Sequence, residues 1–309
     1  MTLSRVPQLD PHDIKLLRIF AKVAESGGFS EAQAELNVSA ATISTSMATL
    51  ESRLGMRLCD RGRVGFKLTS NGQRVWQAAE KLEEAIDLFR VEVGELRGKL
   101  VGNFGVGFAD STVTNPELRL HEVFSVFVAR DNALHLTLHV HDPDTIERKL
   151  LEGKLQIGIS AFYHHVPGLS YEPLLREKHS LYCGRGHWLF DLDAEDVSVD
   201  LVRDADYVRR GYLGKRYEGV TSELKASATA YDMEAILIMI RSGAFIGHLP
   251  GHYARDWAER GEIREIACER YAFYSQFQVA HRTGTRELPA VQAFLADFQK
   301  VHAATRSRP

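Results

Sequence analysis

The spacing of apolar residues along residues 10–54 predicts three short helices around one core. The first starts at the acidic, proline-containing segment Asp10–Asp13 and ends at Gly27-Gly28. Its predicted buried residues are Ile14, Leu17, Phe20, Ala21 and Ala24. Ser30 can cap a second helix, and Gln33 would complete a capping box there. Ser39 can cap a third helix after a short turn.

The third predicted helix has two contrasting faces. Apolar residues at intervals of four, three and four form a stripe that faces the core, namely Ile43, Met47, Leu50 and Leu54. The opposite face carries only short side chains, namely Ala40, Ala41, Thr42, Ser44, Thr45 and Ser46. Such a face lets a phosphate or a base edge approach closely, as a recognition helix requires. The pattern therefore predicts a helix-turn-helix that docks on DNA.

The net charge of the chain does not favour DNA binding, whereas the charge of one segment does. The chain has 38 Lys and Arg against 41 Asp and Glu, a balance that argues against nucleic-acid binding by the whole surface. Residues 53–74 reverse it, with Asp60 as the one acid among six basic residues: Arg53, Arg57, Arg61, Arg63, Lys67 and Arg74. A basic segment beside a helix-turn-helix is expected to bind phosphates, although Arg53 and Arg57 alone could simply form a solvated helix face.

Residues 10–72 resemble the winged helix-turn-helix of LysR-type transcriptional regulators. The similar stretches are LLRIFAKVAESGGFSEAQAELNVS, ISTSMATLESRLGMRLCDR and FKLTSNG. The resemblance implies that double-stranded DNA, a promoter with an interrupted dyad, is bound by Ser30, Ser39, Ala40, Thr42, Ser44, Thr45, Arg53, Arg61, Arg63 and Lys67. Relatives usually have Gln at the position of Ala40 and Arg or Lys at that of Thr45, so the common pairs with adenine and guanine are missing at these positions.

A long helix is predicted after the wing, whose tip is expected at Gly62–Gly65. Thr69 caps this helix, which runs to about Arg97. Its apolar residues alternate at spacings of four and three, as in a coiled coil: Val75, Ala79, Leu82, Ile86, Phe89, Val93 and Leu96. A helix packed on its own domain would favour a wider stripe. In the family this segment pairs two DNA-binding domains, so the resemblance implies a homodimer through the linker helix and, as in many relatives, a tetramer.

The remaining residues alternate strand and helix patterns, which predicts an α/β fold with parallel sheets covered by helices. The predicted strands are Val101–Phe108, Leu134–Val140, Leu155–Ser160, Leu169–Leu175, His179–Cys183, Tyr207–Arg209, Leu224–Thr229, Ala244–Leu249 and Ala272–His281. The predicted helices are Asn115–Ala129, Pro143–Glu152, Tyr231–Ser242, His252–Glu259 and Leu288–Ala303.

The family resemblance extends through this region in LLEGKLQIGIS, LSYEPLLREKHSLYCGRGHWL and MIRSGAFIGHLPGHYA. It implies a winged helix-turn-helix over residues 1–69, a linker helix over 70–97, and a two-subdomain α/β effector-binding domain over 98–309 that resembles periplasmic binding proteins. Subdomain one would comprise about 98–168 and 270–309, and subdomain two about 169–269. A small effector bound between them would modulate promoter binding.

Ligands of such sheets bind outside the carboxyl ends of the strands, near helix N-termini. The candidate effector-binding residues at these ends are Ser111, Thr112, His141, Ser160, Phe162, Tyr207, Arg209, Thr229 and His248. Hydroxyl groups at a helix start, a carboxylate clamp from Arg209 and aromatic walls suit a small carboxylate with an apolar body. Each hydroxyl could instead be a simple helix cap, and Arg209 could be a solvated loop charge.

The sequence has few residue patterns typical of a metal site, a redox sensor or an enzyme. Only His139 and His141 on one strand could meet a single ion, and a polar face at a subunit contact is the preferred interpretation, with no metal and no cofactor predicted. Cys183 and Cys268 are expected to be buried free thiols rather than redox sensors. No nucleotide-binding loop or nucleophile elbow occurs, so an enzyme is not predicted.

A transported-solute receptor is the main alternative from another functional class. It would need a signal peptide, whereas the first residues, MTLSRVPQLDPHD, lack an apolar core, and it would carry no DNA-binding segment. No run of about 18 apolar residues occurs either. A cytoplasmic regulator without a membrane partner is therefore expected.

Overall fold

The computed structural model describes residues 9–62, 65–96, 99–130, 132–212 and 218–306. The chain divides into two compact units, Met1–Glu92 and Val93–Pro309. Among the described helices, none is both long and apolar enough to cross a membrane.

The N-terminal unit has the predicted order of elements. These are α1 (Pro11–Glu25), α2 (Phe29–Leu36), α3 (Ala40–Leu54), the strands β1 (Cys59–Gly62) and β2 (Gly65–Leu68), and α4 (Ser70–Glu95). The acidic start of α1 is a reciprocal capping box in which the Asp10 and Asp13 side chains accept each other's backbone N–H. Ser39 caps α3 as predicted, because its Oγ accepts the Thr42 N–H at 3.1 Å.

The predicted capping box of α2 is wrong. This helix begins at Phe29, after Gly28, two residues earlier than a Ser30 cap implies, and no side chain caps it. Ser30 therefore lies exposed within the first turn. Gln33 instead accepts the Ala40 N–H at 3.1 Å, so it connects α2 to the start of α3. The earlier start is consistent with the packing of Phe29 against the Phe66 ring, at 5.8 Å between centroids.

The wing is an antiparallel hairpin that lies close to α4. Its register pairs Gly62 with Gly65, and the predicted tip residues 63 and 64 lie outside the described residues. At its base, the Glu51 carboxylate accepts the Leu58 N–H at 2.7 Å. A Cβ atom added to Gly72 would overlap the backbone oxygen of Leu58, so the close approach of α4 to the hairpin requires glycine.

The long helix α4 is capped as predicted but packs differently along its length. Thr69 Oγ1 accepts the Gly72 N–H at 2.9 Å. In the first half, Ala79 is buried in the core of the N-terminal unit and Leu82 packs against that core. In the second half, Leu88 and Phe89 are 43% and 66% exposed. A coiled-coil seam along the whole helix is therefore wrong, because the first half contacts its own domain.

The C-terminal unit is a mixed α/β structure. Its strands are β3 (Leu100–Phe108), β4 (Asn132–Val140), β5 (Ile157–Ala161), β6 (Leu169–Gly184), β7 (Asp206–Arg210), β8 (Lys225–Ala230), β9 (Ile246–Pro250), β10 (Ile263–Glu265) and β11 (Phe273–Arg282). Its helices are α5 (Leu120–Val128), α6 (Pro143–Leu151), α7 (Val199–Asp204), α8 (Glu218–Thr221), α9 (Met233–Arg241), α10 (Gly251–Glu259) and α11 (Pro289–Arg306).

All nine strands belong to one sheet with the order β4-β3-β5-β11-β6-β9-β7-β8, and β10 pairs with β6. The two outer groups, β3–β5 and β7–β9, have parallel pairs, as predicted. The centre is antiparallel, because the long strands β6 and β11 pair with each other and with the adjoining strands of both groups.

The strand β6 corrects one expectation. Two separate strands were predicted at Leu169–Leu175 and His179–Cys183, but they form one strand of 16 residues. The charged sequence Arg176–Lys178 resembles a loop, yet it continues the pairing with β11. The expected subdomain boundaries at 168/169 and 269/270 place β6 in subdomain two and β11 in subdomain one, and these two strands pair with each other.

Candidate functional site

The C-terminal unit has a small polar cavity, partly open to solvent, at the junction of its two parallel groups of strands. The end of β3 contributes Asp110 and Ser111, and the end of β5 contributes Ser160. The central strands contribute Glu177, His179 and Ser275, and β7 ends in Arg210. The tyrosines Tyr163 and Tyr212, together with Met233, complete much of the wall. The lining is thus considerably more polar than the predicted cleft for an apolar body.

Two of the predicted hydroxyl residues lie in the cavity wall. Ser111 has a left-handed backbone with φ of 59°. Ser160 is fully buried, and its Oγ has no hydrogen-bond partner among the described residues. Thr112 is adjacent but has a structural role, because its Oγ1 donates to the Ala109 carbonyl at 3.0 Å. A buried hydroxyl without a partner is unusual, so Ser160 is available to a ligand.

The predicted cation, Arg209, is not among the residues that line the cavity, whereas its neighbour Arg210 is. Successive side chains of a strand point to opposite faces, and on β7 Arg209 is exposed whereas Arg210 is only 5% exposed. Arg210 Nη2 lies 2.7 Å from the Met233 sulfur, and the guanidinium stands 5.5 Å from the Tyr212 ring centroid. Arg210 Nε is buried without a hydrogen-bond partner among the described residues.

A buried carboxylate, Glu177, organises another part of the wall. It accepts hydrogen bonds from Asn115 Nδ2 at 2.9 Å and His252 Nε2 at 2.6 Å. His179 Nε2 lies 3.0 Å from its other oxygen. Burial raises the pKa of Glu177, but the contacts with His179 and His252 outweigh burial and lower this pKa to about 2. These polar residues were missed because they are far apart in the sequence and only the fold brings them together.

Asp110 is the second carboxylate of the cavity. Its Oδ2 accepts the backbone N–H of Met233, the first residue of α9. Burial is the largest influence on this group and raises the pKa of Asp110 above its ordinary value. The side chain therefore connects the end of β3 to the start of α9 across the cavity.

Five predicted effector residues lie elsewhere. Tyr207 and His248 form a buried pair in which the tyrosine hydroxyl donates to Nδ1 at 3.0 Å, while His248 Nε2 donates to the Tyr271 carbonyl at 2.8 Å. Phe162 packs in a hydrophobic cluster with residues such as Ile146. The others are Thr229, which is exposed, and His141, which stacks on His139. These side chains sit beside the strand ends but point into packed regions or solvent.

The candidate DNA-binding face of α3 is open, as predicted. Ala40, Thr42 and Thr45 are exposed on it or border it. Thr45 Oγ1 donates to the Ala41 carbonyl at 2.9 Å, which leaves its oxygen lone pairs as acceptors. Ser39 Oγ and Thr42 Oγ1 lie 2.9 Å apart and share a hydrogen bond. Ser44 is half-buried on this helix.

The predicted basic residues have different surroundings. Lys67 is exposed on β2. Arg63 and the side chain of Arg61 lie outside the described residues. Arg53 departs from the expected phosphate contact, because its Nη2 donates to Asp10 at 2.8 Å and to the buried Asp13 at 2.7 Å. This ion pair connects α3 to α1 and is a structural contact within the N-terminal unit.

Comparisons with known proteins match both units of the chain. The LysR substrate binding domain matches residues 100–303, and the bacterial regulatory helix-turn-helix protein of the lysR family matches residues 14–73. The chain belongs to the LysR family of transcriptional regulators. This LysR-type regulator therefore has a DNA-binding domain and an effector-binding domain, and its family consists of regulators rather than enzymes, as expected from the sequence.

Similar proteins cover nearly the whole length of this LysR-type regulator. The HTH-type transcriptional activator BauR of Pseudomonas aeruginosa is 38% identical over 299 residues, which are 96% of this chain and 98% of BauR. Full-length CbnR complexed with its target DNA has a TM-score of 0.63 at 20% identity, covering 94% of this chain and 99% of that one. A full-length OxyR variant from Pseudomonas aeruginosa has a TM-score of 0.60 at 20% identity, covering 95% of each chain. The solved structures support the predicted fold class.

One cluster in the LysR-type regulator has the composition of a metal site. The ligand atoms of Asp144, Glu147 and His164 all lie within 4.8 Å of one another. Asp144 and His164 are exposed, and Glu147 already accepts the Tyr171 hydroxyl at 2.5 Å. This cluster is distinct from the His139 and His141 pair considered from the sequence, and its two exposed members have ordinary surface surroundings.

The cysteines are free thiols. Cys59 and Cys183 are buried, and Cys268 is half-buried. Burial raises the pKa of the Cys183 thiol to about 11, so the reactive thiolate is disfavoured. The prediction of a buried free thiol is confirmed for Cys183, whereas Cys268 is less buried than expected.

The buried histidines generate a prediction for pH dependence. Burial lowers the pKa of His179 to about 4 and that of His248 to about 3, against 6.5 for an ordinary histidine. Between about pH 6.5 and 4 the unfolded chain therefore binds more protons, and the free energy of unfolding should fall as the pH falls. Each histidine should contribute a slope of up to about 1.4 kcal/mol per pH unit.

His248→Asn should reduce the dependence of the unfolding free energy on pH by the contribution of one histidine. The measurement is urea unfolding at several pH values, followed by fluorescence of the tryptophans, of which Trp188 and Trp257 lie in the C-terminal unit. His121→Asn is the control, because its side chain is 85% exposed. A slope equal to wild type in His248→Asn would contradict the assignment.

Proposed function

We propose that a small carboxylate binds in the cavity beside Arg210 and acts as the effector of this LysR-type regulator. The observation that carries the proposal is the buried guanidinium of Arg210, which has no carboxylate in ion-pair contact among the described residues. An isolated buried charge costs several kcal/mol, whereas an anion held by a guanidinium through two hydrogen bonds offsets this cost. Arginine stays charged in proteins, so this partner for an anion is present at any physiological pH.

The other polar groups of the cavity support a small polar ligand. The side chains of Ser160 and Ser275 each have a buried oxygen without a hydrogen-bond partner among the described residues. These hydroxyls could donate to the second oxygen of a carboxylate or to a polar substituent of the effector.

The location of the cavity supports coupling to a conformational change. Arg210 belongs to one parallel group of strands, whereas Ser111 and Ser160 belong to the other. A ligand that contacts both groups favours the arrangement in which both sets of contacts are made. Its differential affinity for the two arrangements is the free energy available to change promoter binding.

Arg210→Met should weaken the binding of the effector without changing operator affinity in its absence. Loss of a hydrogen-bonded charge contact costs about 1.5–3 kcal/mol, which corresponds to roughly 10- to 150-fold in Kd. Calorimetry with a panel of two- to six-carbon carboxylates would identify a binding probe and measure the change. Arg209→Met is the matched control, because this neighbouring arginine is exposed and should leave the affinity unaltered. Equal losses in both variants would argue against the cavity.

We propose further that α3 lies in the major groove of double-stranded DNA and that the wing contacts phosphates. The exposed Ala40, Thr42 and Thr45 have short side chains, so DNA can approach this face of α3 closely. Lys67 supplies an exposed positive charge on the wing. Ser39, Ser44, Arg61 and Arg63 complete the proposed interface, whereas the ion-paired Arg53 and the helix-embedded Ser30 contribute less directly. Because the Thr45 hydroxyl donates to its own helix, it would accept from the amino group of adenine or cytosine.

Thr45→Val and Lys67→Gln should affect DNA binding in different ways. Lys67→Gln should weaken binding to all sequences and reduce the salt dependence by about one phosphate contact. Thr45→Val removes the hydroxyl at nearly constant size and should change the base preference at one position of each half-site, with little effect on the salt slope. Fluorescence anisotropy with operator and unrelated duplexes at several salt concentrations measures both. A uniform loss of affinity in both variants would mean that the roles are wrongly assigned.

A homodimer through the second half of α4 is the proposed state that binds a dyad operator. The exposed Leu88 and Phe89 lie there, beyond the part of the helix that packs on its own domain. Burial of two large apolar side chains provides an association energy of a few kcal/mol. Additional contacts between effector-binding domains would be needed for the proposed tetramer.

Phe89→Glu should weaken this dimer and reduce binding to a dyad operator by at least about tenfold. The substitution places a charge at the proposed apolar contact, where desolvation disfavours it. Sedimentation velocity measures the assembly, and Gln77→Glu provides a control at an exposed position of the first half of α4. An unchanged oligomer together with intact operator binding would remove α4 from the proposed interface.

A further inference from the structure

Two opposite charges face the effector cavity without forming an ion pair. Arg210 approaches from the end of β7, and Asp110 from the end of β3. Within the described part of the chain, the Arg210 guanidinium donates to the sulfur of Met233, which is a weak acceptor. Asp110 influences Arg210 only through space, as an electrostatic neighbour. Each charged group can thus form further hydrogen bonds with a ligand in the same cavity.

The two carboxylates of the cavity differ in how well they are paired. Glu177 receives hydrogen bonds from Asn115 and His252 and is also contacted by His179. Asp110 accepts one backbone N–H through Oδ2, and among the described residues no donor reaches Oδ1. The carboxylate with capacity for a further donor is therefore Asp110.

We infer that the ligand of this cavity is a small amino carboxylate, held through its carboxylate by Arg210 and through its ammonium group by Asp110. The inference rests on the proposed function and specifies the class of effector. An ammonium group has three donors and a positive charge, which match the open Oδ1 and the negative charge of Asp110. A ligand with both charges completes both partially paired side chains, and because the two ligand charges cancel, the net charge of the cavity is unchanged.

A carboxylate without an amine is a poorer fit for the same electrostatic reason. It would satisfy Arg210 but would add a second negative charge near Asp110 in a region of low dielectric constant. Burial already raises the pKa of Asp110 above its ordinary value, so a second negative charge nearby would be disfavoured further. An ammonium group beside Asp110 supplies that compensation.

Pairs of matched ligands test the inference on the full-length wild-type protein. The probes are unbranched amino acids of two to six carbons, with the amine at either end of the chain, and the carboxylic acids of the same length without the amine. Calorimetry should show at least one amino acid that binds at least tenfold more tightly than its amine-free counterpart. An amine-free acid that binds as tightly as the best amino acid would overturn the inference.

Asp110→Asn then tests the assigned partner. Asparagine retains an oxygen that can accept the Met233 N–H, so the connection to α9 can be kept while the charge is removed. The tenfold preference for the amine should disappear, and the affinity for amine-free acids should not fall. Asp232→Asn is the matched control, because this nearby exposed aspartate caps α9 and should leave the preference intact.

The outcomes separate this inference from the proposed function. If carboxylates bind in an Arg210-dependent way but show no amine preference, or if the preference persists in Asp110→Asn, only the amino-carboxylate inference fails. If Arg210→Met leaves the affinity of every binding carboxylate unchanged, or if no probe binds wild type, the proposed function fails with it. The ligand comparison in wild type needs no variant and so does not depend on the folding of Asp110→Asn.

Discussion

The pairing of β6 with β11 is the contact on which the effector-binding domain depends. These strands pair with each other over most of their length and also join the two parallel groups of strands into one sheet. The same strands carry Glu177, His179 and Ser275 to the cavity wall. Backbone hydrogen bonds that hold the domain together thus also fix the polar side chains of the site. A cavity built on central strands is positioned more accurately than one built on loops.

Both functional regions contain buried charged side chains, but these side chains are paired to different extents. In the DNA-binding domain the Asp13 carboxylate is paired with Arg53, and this ion pair connects α1 to α3. In the effector-binding domain Glu177 is similarly paired, whereas among the described residues Arg210 Nε has no hydrogen-bond partner and Asp110 accepts one backbone N–H. A structural charge is paired within the chain, and a charge left incompletely paired in a cavity favours a ligand that supplies the missing partner.

The sequence predicted the regular elements far better than the residues of the cavity. The four-three-four spacing identified the buried face of α3, since Ile43, Met47 and Leu50 are all buried, and local hydrogen-bonding chemistry identified the caps Ser39 and Thr69. From the sequence, Arg209 was named as the cation and Arg210 was not considered, because the face of a short strand depends on its register, which an error of one residue reverses. Glu177 and His179 were not recognised because their surroundings come from distant residues such as Asn115 and His252. Long-range packing, rather than local pattern, makes these side chains part of a site.

The absence of a side chain at Gly72 lets α4 pack directly against the base of the wing. Because the first turn of α4 lies directly against the backbone of the wing at Leu58, no compressible side chain separates the two. Close-packed backbones have little freedom to slide, so a rotation of α4 about its own axis must carry the hairpin with it. A small rotation of α4 would therefore displace the wing, which is the segment proposed to contact the phosphates of DNA.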